Sequence, residues 1–122
     1  MREERGTIAG DFVVNEPIEL WGSVGGNVTV AEGGKLYVRG AIYGDMIIEF
    51  GGRAHIFGRV IGSLTVKRGA KVIHSGILGG DAINKGGRLY IESTATINGK
   101  VKTLKGETKI SKLFSAPPPP PQ

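Results

Sequence analysis

The sequence has no cysteine, only two histidines, and no apolar run long enough to cross a membrane as a helix. Without cysteine there is no disulfide scaffold, no thiolate metal centre and no sulfur nucleophile. The opening MREERGTIAG lacks the apolar centre of a secretory signal, so the expected location is the cytoplasm. Aromatic residues are sparse at 7%. The formal charge is +5, but eleven acids are interleaved with sixteen bases. That mixture argues against a dense phosphate-binding surface, and no nucleic acid partner is expected. A length of 122 residues leaves room for one domain.

Glycine, by contrast, is abundant, with 21 residues. Its spacing is regular. Gly22, Gly40, Gly58 and Gly76 fall 18 apart, as do Gly26, Gly44, Gly62 and Gly80. A third column holds Gly33, Gly51 and Gly69, with Gly87 18 further on. The segments VTVAEGGKLYVRGAIYGD, MIIEFGGRAHIFGRVIGS and LTVKRGAKVIHSGILGGD superimpose. Self-similarity at a fixed period marks a solenoid, in which each repeat buries its apolar face against the next.

The apolar residues repeat on a finer scale. From Phe12 and Ile18 to Val72 and Leu78, twelve apolar residues follow one another at intervals of six. Between positions 12 and 78 the even positions are nearly all apolar or glycine, and the odd ones carry most charges. A period of two means strands with one face in and one out, and an 18-residue turn preserves that parity. The predicted fold is all-β: a single-stranded, three-sided β-helix. Gly10, Gly26, Gly44, Gly62, Gly80 and Gly99 mark about six coils. At about 4.8 Å per coil the rod is about 29 Å long. Glycine columns are expected at corners, and Glu32, Phe50 and Arg68 at a corner that points outward. After residue 81 one residue is missing and the phase slips. The predicted organisation is a short flexible tail at 1–7, a β-helix at 8–112, and a proline-rich disordered tail at 113–122.

A three-faced helix with an apolar residue every six positions is similar to the left-handed hexapeptide-repeat enzymes, acyltransferases and a zinc carbonic anhydrase among them. Those chemistries use histidine as general base or metal ligand. Here His55 and His74 have opposite parities, one out and one in, so they cannot share a metal. His74 is expected in the core, satisfied by backbone; His55 stacks between Tyr37 and Ile73. Asn27, Asp45, Ser63 and Asp81 form a polar column whose side chains bond to nearby amides. No phosphate loop, dinucleotide fingerprint or nucleophile elbow occurs. The reading is of a non-enzyme without cofactor or metal. On the outside, Lys35, Arg53, Lys71 and Arg88 make a vertical basic ridge beside Tyr37, His55, Ile73 and Tyr90. As a solvated ladder it keeps neighbouring sheets apart; as a site it would dock an anionic ligand or an acidic partner.

The units GAIYGDMII, GRVIGSLTV and GSVGGNVTV, with the closing LYIESTATINGKV, resemble the bactofilins, small bacterial polymer-forming cytoskeletal proteins. The likeness covers roughly residues 8–112. It implies a right-handed helix, filaments formed end to end without nucleotide and without polarity, and a role in cell shape and cell-wall machinery. It further implies cell-wall enzymes or membrane-associated proteins as partners at the inner face of the membrane. MREERG carries neither a hydrophobic nor a strongly basic membrane anchor. A β-helix has edges only at its ends, and neither end of this sequence offers an amphipathic helix as a cap. The expected homopolymer interface is therefore Phe12, Val14, Ile18 and Leu20 at one end and Leu104, Ile110, Leu113 and Phe114 at the other.

Overall fold

The computed structural model describes residues 1–114. Seventeen strands and no helix occupy them. The first turn holds β1 (Arg2–Glu4), β2 (Thr7–Ile8) and β3 (Phe12–Val14), the second β4 (Pro17–Leu20), β5 (Ser23–Val24) and β6 (Val28–Val30). The third turn holds β7 (Lys35–Val38), β8 (Ala41–Ile42) and β9 (Met46–Ile48), the fourth β10 (Arg53–Ile56), β11 (Arg59–Val60) and β12 (Leu64–Val66). In the fifth lie β13 (Lys71–His74), β14 (Ile77–Leu78) and the start of β15 (Ala82–Ile91). The sixth holds the rest of β15, β16 (Thr96–Ile97) and the start of β17 (Val101–Ile110), which ends by opening a seventh rung.

Each strand pairs in parallel with its equivalent one turn away, so the chain is a β-solenoid of about six turns. The register fixes the repeat: Ala54 faces Leu36 on one side and Val72 on the other, 18 residues away each time. Three faces make only two hydrogen-bonded sheets, of 11 and 6 strands. The reason is that β15 and β17 round one corner without a break.

Parity decides burial as the sequence implies. The stacked residues Val24, Ile42, Val60, Leu78 and Ile97 are all buried, and each such side chain contributes about 1.5–3 kcal/mol. Glu32, Phe50 and Arg68 are exposed at one corner. Two glycine columns have different physical reasons. A Cβ at Gly58 would lie 2.0 Å from the carbonyl oxygen of Gly40, so that corner has no room for a side chain. Gly33, Gly51 and Gly69 take φ of 82°, 78° and 77°, the left-handed region that favours glycine.

Three expectations need correction. Residues 1–7 are not a loose lead-in, because Arg2, Glu3 and Glu4 pair with Ile18, Glu19 and Leu20, and Thr7 and Ile8 with Ser23 and Val24. Backbone pairing overrides the charged composition. Gly86 (φ 143°), rather than Gly87, continues the left-handed column, because the deleted residue falls in that corner: Lys71 faces Arg88, 17 residues on. The shortened corner is held by buried Asn84, whose Nδ2 donates to Gly87 O, Glu107 O and Thr108 Oγ1 while its Oδ1 accepts from the Gly86 and Gly87 amides. Leu113 and Phe114 belong to a turn in which the Phe114 amide donates to Ser111 O. The proline run, residues 117–121, lies outside the described residues.

Candidate functional site

Along its sides the solenoid satisfies its own backbone, whereas the rung at each end has no further rung stacked on it among the described residues. The expected N-terminal interface fares badly on inspection of burial. Val14, Ile18 and Leu20 are core residues with no more than 1% exposure; β1 lies over Ile18 and Leu20, and Val14, in the first turn itself, points into the core. Of that group only Phe12 keeps partial exposure, packing against the end of the core with Ile8. What the outer rung presents instead is charge. Arg2 and Glu4 sit in register with the inward residues Ile18 and Leu20 and form an ion pair, and the Arg2 guanidinium lies 6.0 Å from the Phe12 ring centroid. Inward charges of this kind blunt a sheet edge.

The C-terminal end is different. Among the described residues its outer strand β17 pairs only with β15, leaving the other edge of ten residues open. Leu104, Ile110 and Leu113 are 64%, 48% and 80% exposed, and Val101 and Phe114 pack half-buried on the core. The four residues expected here lie on β17 and the turn after it, Leu104 at the register shift between Thr103 and Lys105. Two polar side chains sit among them, Thr103 donating to Thr108 at 2.8 Å.

The polar column is a directional hydrogen-bond ladder and includes Asp11, which the sequence reading missed. Asp11 Oδ1 accepts from the Asn27 amide, Asn27 Oδ1 from Asp45, and Asp45 Oδ1 from Ser63, each at 2.8 Å. Ser63 Oγ then accepts from the Asp81 amide at 3.0 Å, and Asp81 Oδ1 from Lys100 at 2.8 Å. The glycine beside each step leaves room for the acceptor: a Cβ at Gly62 would stand 2.2 Å from Asp45 Oδ1. The ladder stops at Lys100, which has no side-chain acceptor to offer a following rung.

A second missed column is built on stacked rings and guanidinium groups. The Arg39 guanidinium lies 5.0 Å from the Trp21 centroid and 4.6 Å from that of Phe57, and Arg5 lies 5.2 Å from Trp21 on the other side. Arg39 Nε donates to Glu19 Oε2 at 2.6 Å, and that bond holds the Glu19 carboxyl below its usual range. The alternation of basic and aromatic residues hid this column from a search for like residues; the 18-residue spacing of Trp21, Arg39 and Phe57 is the signal that finds it.

Both histidines have the expected parity. His55 is half-buried on the outside, faces Tyr37 and Ile73 in register, and stacks on Phe57 at 3.8 Å. His74 is fully buried, with Nε2 3.3 Å from Thr96 O. Its Nδ1 has no partner, so the backbone satisfies only one nitrogen. Burial lowers the pKa of both rings, outweighing the Thr96 bond at His74. Among the described residues, no three His, Asp or Glu side chains converge into a metal-binding group. The basic ridge is in register as predicted, Lys35 against Arg53, Arg53 against Lys71 and Lys71 against Arg88, ending at Pro17 and Glu107. Comparison with family models, curated proteins and solved structures finds no match to this chain.

Proposed function

We propose that the chain is a bactofilin-like structural protein that stacks end to end, without nucleotide, into filaments that act in the cytoplasm as a scaffold for cell shape and cell-wall machinery. The observation that carries this reading is the open apolar C-terminal end: a ten-residue strand edge with Leu104, Ile110 and Leu113 uncovered and no capping helix among the described residues. Strand edges left open in this way recruit other chains. Two such ends brought together about a two-fold axis pair β17 with its copy and bury both apolar sets. Head-to-tail stacking is less favoured. It would set Lys100, which cannot extend the ladder, against the first rung and lay the Arg2–Glu4 pair on apolar side chains. The filament then alternates a strong C-terminal seam with a weaker, more charged N-terminal one, and has no polarity.

Negative-stain microscopy of the purified chain without nucleotide, across a salt series, tests the reading. Filaments of uniform width are expected. Discrete particles at every concentration would replace filament formation with a lone binding module.

A further inference from the structure

The corner between the face of β9 and β12 and the face of β10 and β13 carries a groove of about 450 Å³. Its floor is Gly51, Gly52, Gly69, Gly86 and Gly87, and one lip is Arg53, Lys71 and Arg88. Beyond the tip of the corner, Lys67, Arg68 and Lys85 surround a second hollow with Phe50 and the acid Glu49. None of these six bases forms an ion pair among the described residues. Arg2 and Arg5 pair with Glu4 and Glu3, Arg39 with Glu19, and Lys109 with Glu107, while Lys35, Arg59, Lys100, Lys102, Lys105 and Lys112 are, like the six, without an ion pair among the described residues. What sets this corner apart is register: Arg53, Lys71 and Arg88 stack one rung, about 4.8 Å, apart along a groove, like charge over like charge.

We propose that the groove binds an extended acidic segment of a partner protein, whose carboxylates pair with Arg53, Lys71 and Arg88. Charge complementarity selects the sign of the ligand, and shape selects its form. The groove is concave, floored by residues without side chains, and runs along the rod across successive rungs. A flat bilayer would touch only its lips, and a nucleic acid duplex is too wide for a single corner. An extended peptide advancing about 3.3 Å per residue covers the rungs from Lys35 to Arg88 with four or five residues. The floor offers few donors to a phosphate, because the Gly51 amide donates to Gly69 O and the Lys71 and Arg88 amides to Gly52 O and Ala70 O. Recognition falls to the side chains, with Lys71 held near the Tyr90 ring at 5.8 Å. Glu107, facing Arg88 in register, closes the basic track at the C-terminal end.

The groove lies on the side of the rod, so its occupancy is read independently of assembly. The test is fluorescence anisotropy of a labelled deca-glutamate peptide titrated with the whole chain at about 50 mM and about 200 mM salt. Saturable binding at the lower salt is expected, weakened by salt, and weakened about tenfold or more by the double variant Lys71→Glu, Arg88→Glu. Lys71→Gln with Arg88→Gln gives a smaller loss in the same direction, and circular dichroism verifies that each variant is folded. Arg59→Glu, an exposed base on another face, is expected to change affinity less than about twofold. Absence of binding at the lower salt, or an equal loss in Arg59→Glu, overturns the proposal. So does tighter binding of a labelled single-stranded oligonucleotide or of phosphatidylglycerol vesicles than of the peptide.

Discussion

At the N-terminal end the outer rung lays Arg2 and Glu4 in register with Ile18 and Leu20, whereas at the C-terminal end it lays Val101 and Ile110 against Ala82 and Ile91. One end of a single core is covered by an ion pair with its own salt-bridge network, Arg2 reaching Glu16 at 3.9 Å and Arg5 reaching Glu3 at 3.2 Å. The other exposes Leu104, Ile110 and Leu113, and has no such ion pair over its inward positions; Met1 and Val13 are the exposed apolar residues of the first turn. Both are unpaired edges of the same sheet, so the backbone does not distinguish them; the inward side chains do. The glycines draw the same boundary. A Cβ at Gly22 would meet the Gly6 carbonyl oxygen at 1.9 Å, while one at Gly6 meets nothing within 4 Å among the described residues.

That contrast gives the largest expected effect. Gly58→Ala places a Cβ against backbone in the middle of the stack and should destabilise the rod by about 3 kcal/mol, whereas Gly6→Ala should be close to neutral in denaturant unfolding. Continuous head-to-tail stacking would set a rung on Gly6, and Gly6→Ala would then block filaments in microscopy. Next comes the C-terminal seam. Leu104→Arg or Leu113→Arg should leave the circular dichroism spectrum unchanged, since both side chains are exposed, and yet dissolve filaments into small oligomers. A charge buried at a two-fold seam meets its own copy, a cost of about 3 kcal/mol or more.

Much of this was legible in the sequence, and the failures have physical causes. The period of 18, the inward parity and the Asn27–Asp45–Ser63–Asp81 column are all local signals repeated on several rungs, and repetition makes them readable. The first rung was not readable as a rung because Arg2 and Glu4 occupy inward positions, which breaks the alternation that marks a strand. The 16-residue spacing of Gly6 and Gly22, matching that of Gly10 and Gly26, was the surviving trace. Misplacing the first rung moved the apparent N-terminal surface onto Val14, Ile18 and Leu20, which are core. At the other end Leu104, Ile110 and Leu113 lie at the surface, because among the described residues no rung stacks on β17, and Phe114 packs on the core.

Acid should act on the middle of the rod before it acts on either seam. His74 is buried with its pKa below the ordinary 6.5, so the folded chain keeps it neutral while the unfolded chain takes up a proton. Its contribution is therefore intact above about pH 6.5 and is lost as pH falls from there toward the lower folded value. Thermal unfolding followed from pH 8 to pH 5 should show a decline in melting temperature that His74→Leu reduces; His55, more open, adds less. The smallest effect belongs to the N-terminal end. Arg2→Ala or Glu4→Ala removes an ion pair between partly exposed side chains and should cost about 0.5 kcal/mol in urea unfolding. Either change should strengthen, rather than weaken, association through that end.

Because the chain has no cysteine, single reporters placed at its ends decide how the rods join. Leu113→Cys, Ala9→Cys and the double variant, treated with a short bismaleimide linker and resolved by denaturing electrophoresis, test the seam directly. If C-terminal ends join like to like, Leu113→Cys alone gives an abundant covalent dimer and nothing longer, with less dimer from Ala9→Cys. If rods stack head to tail, each single variant stays monomeric and only the double variant gives a ladder, which would contradict the account.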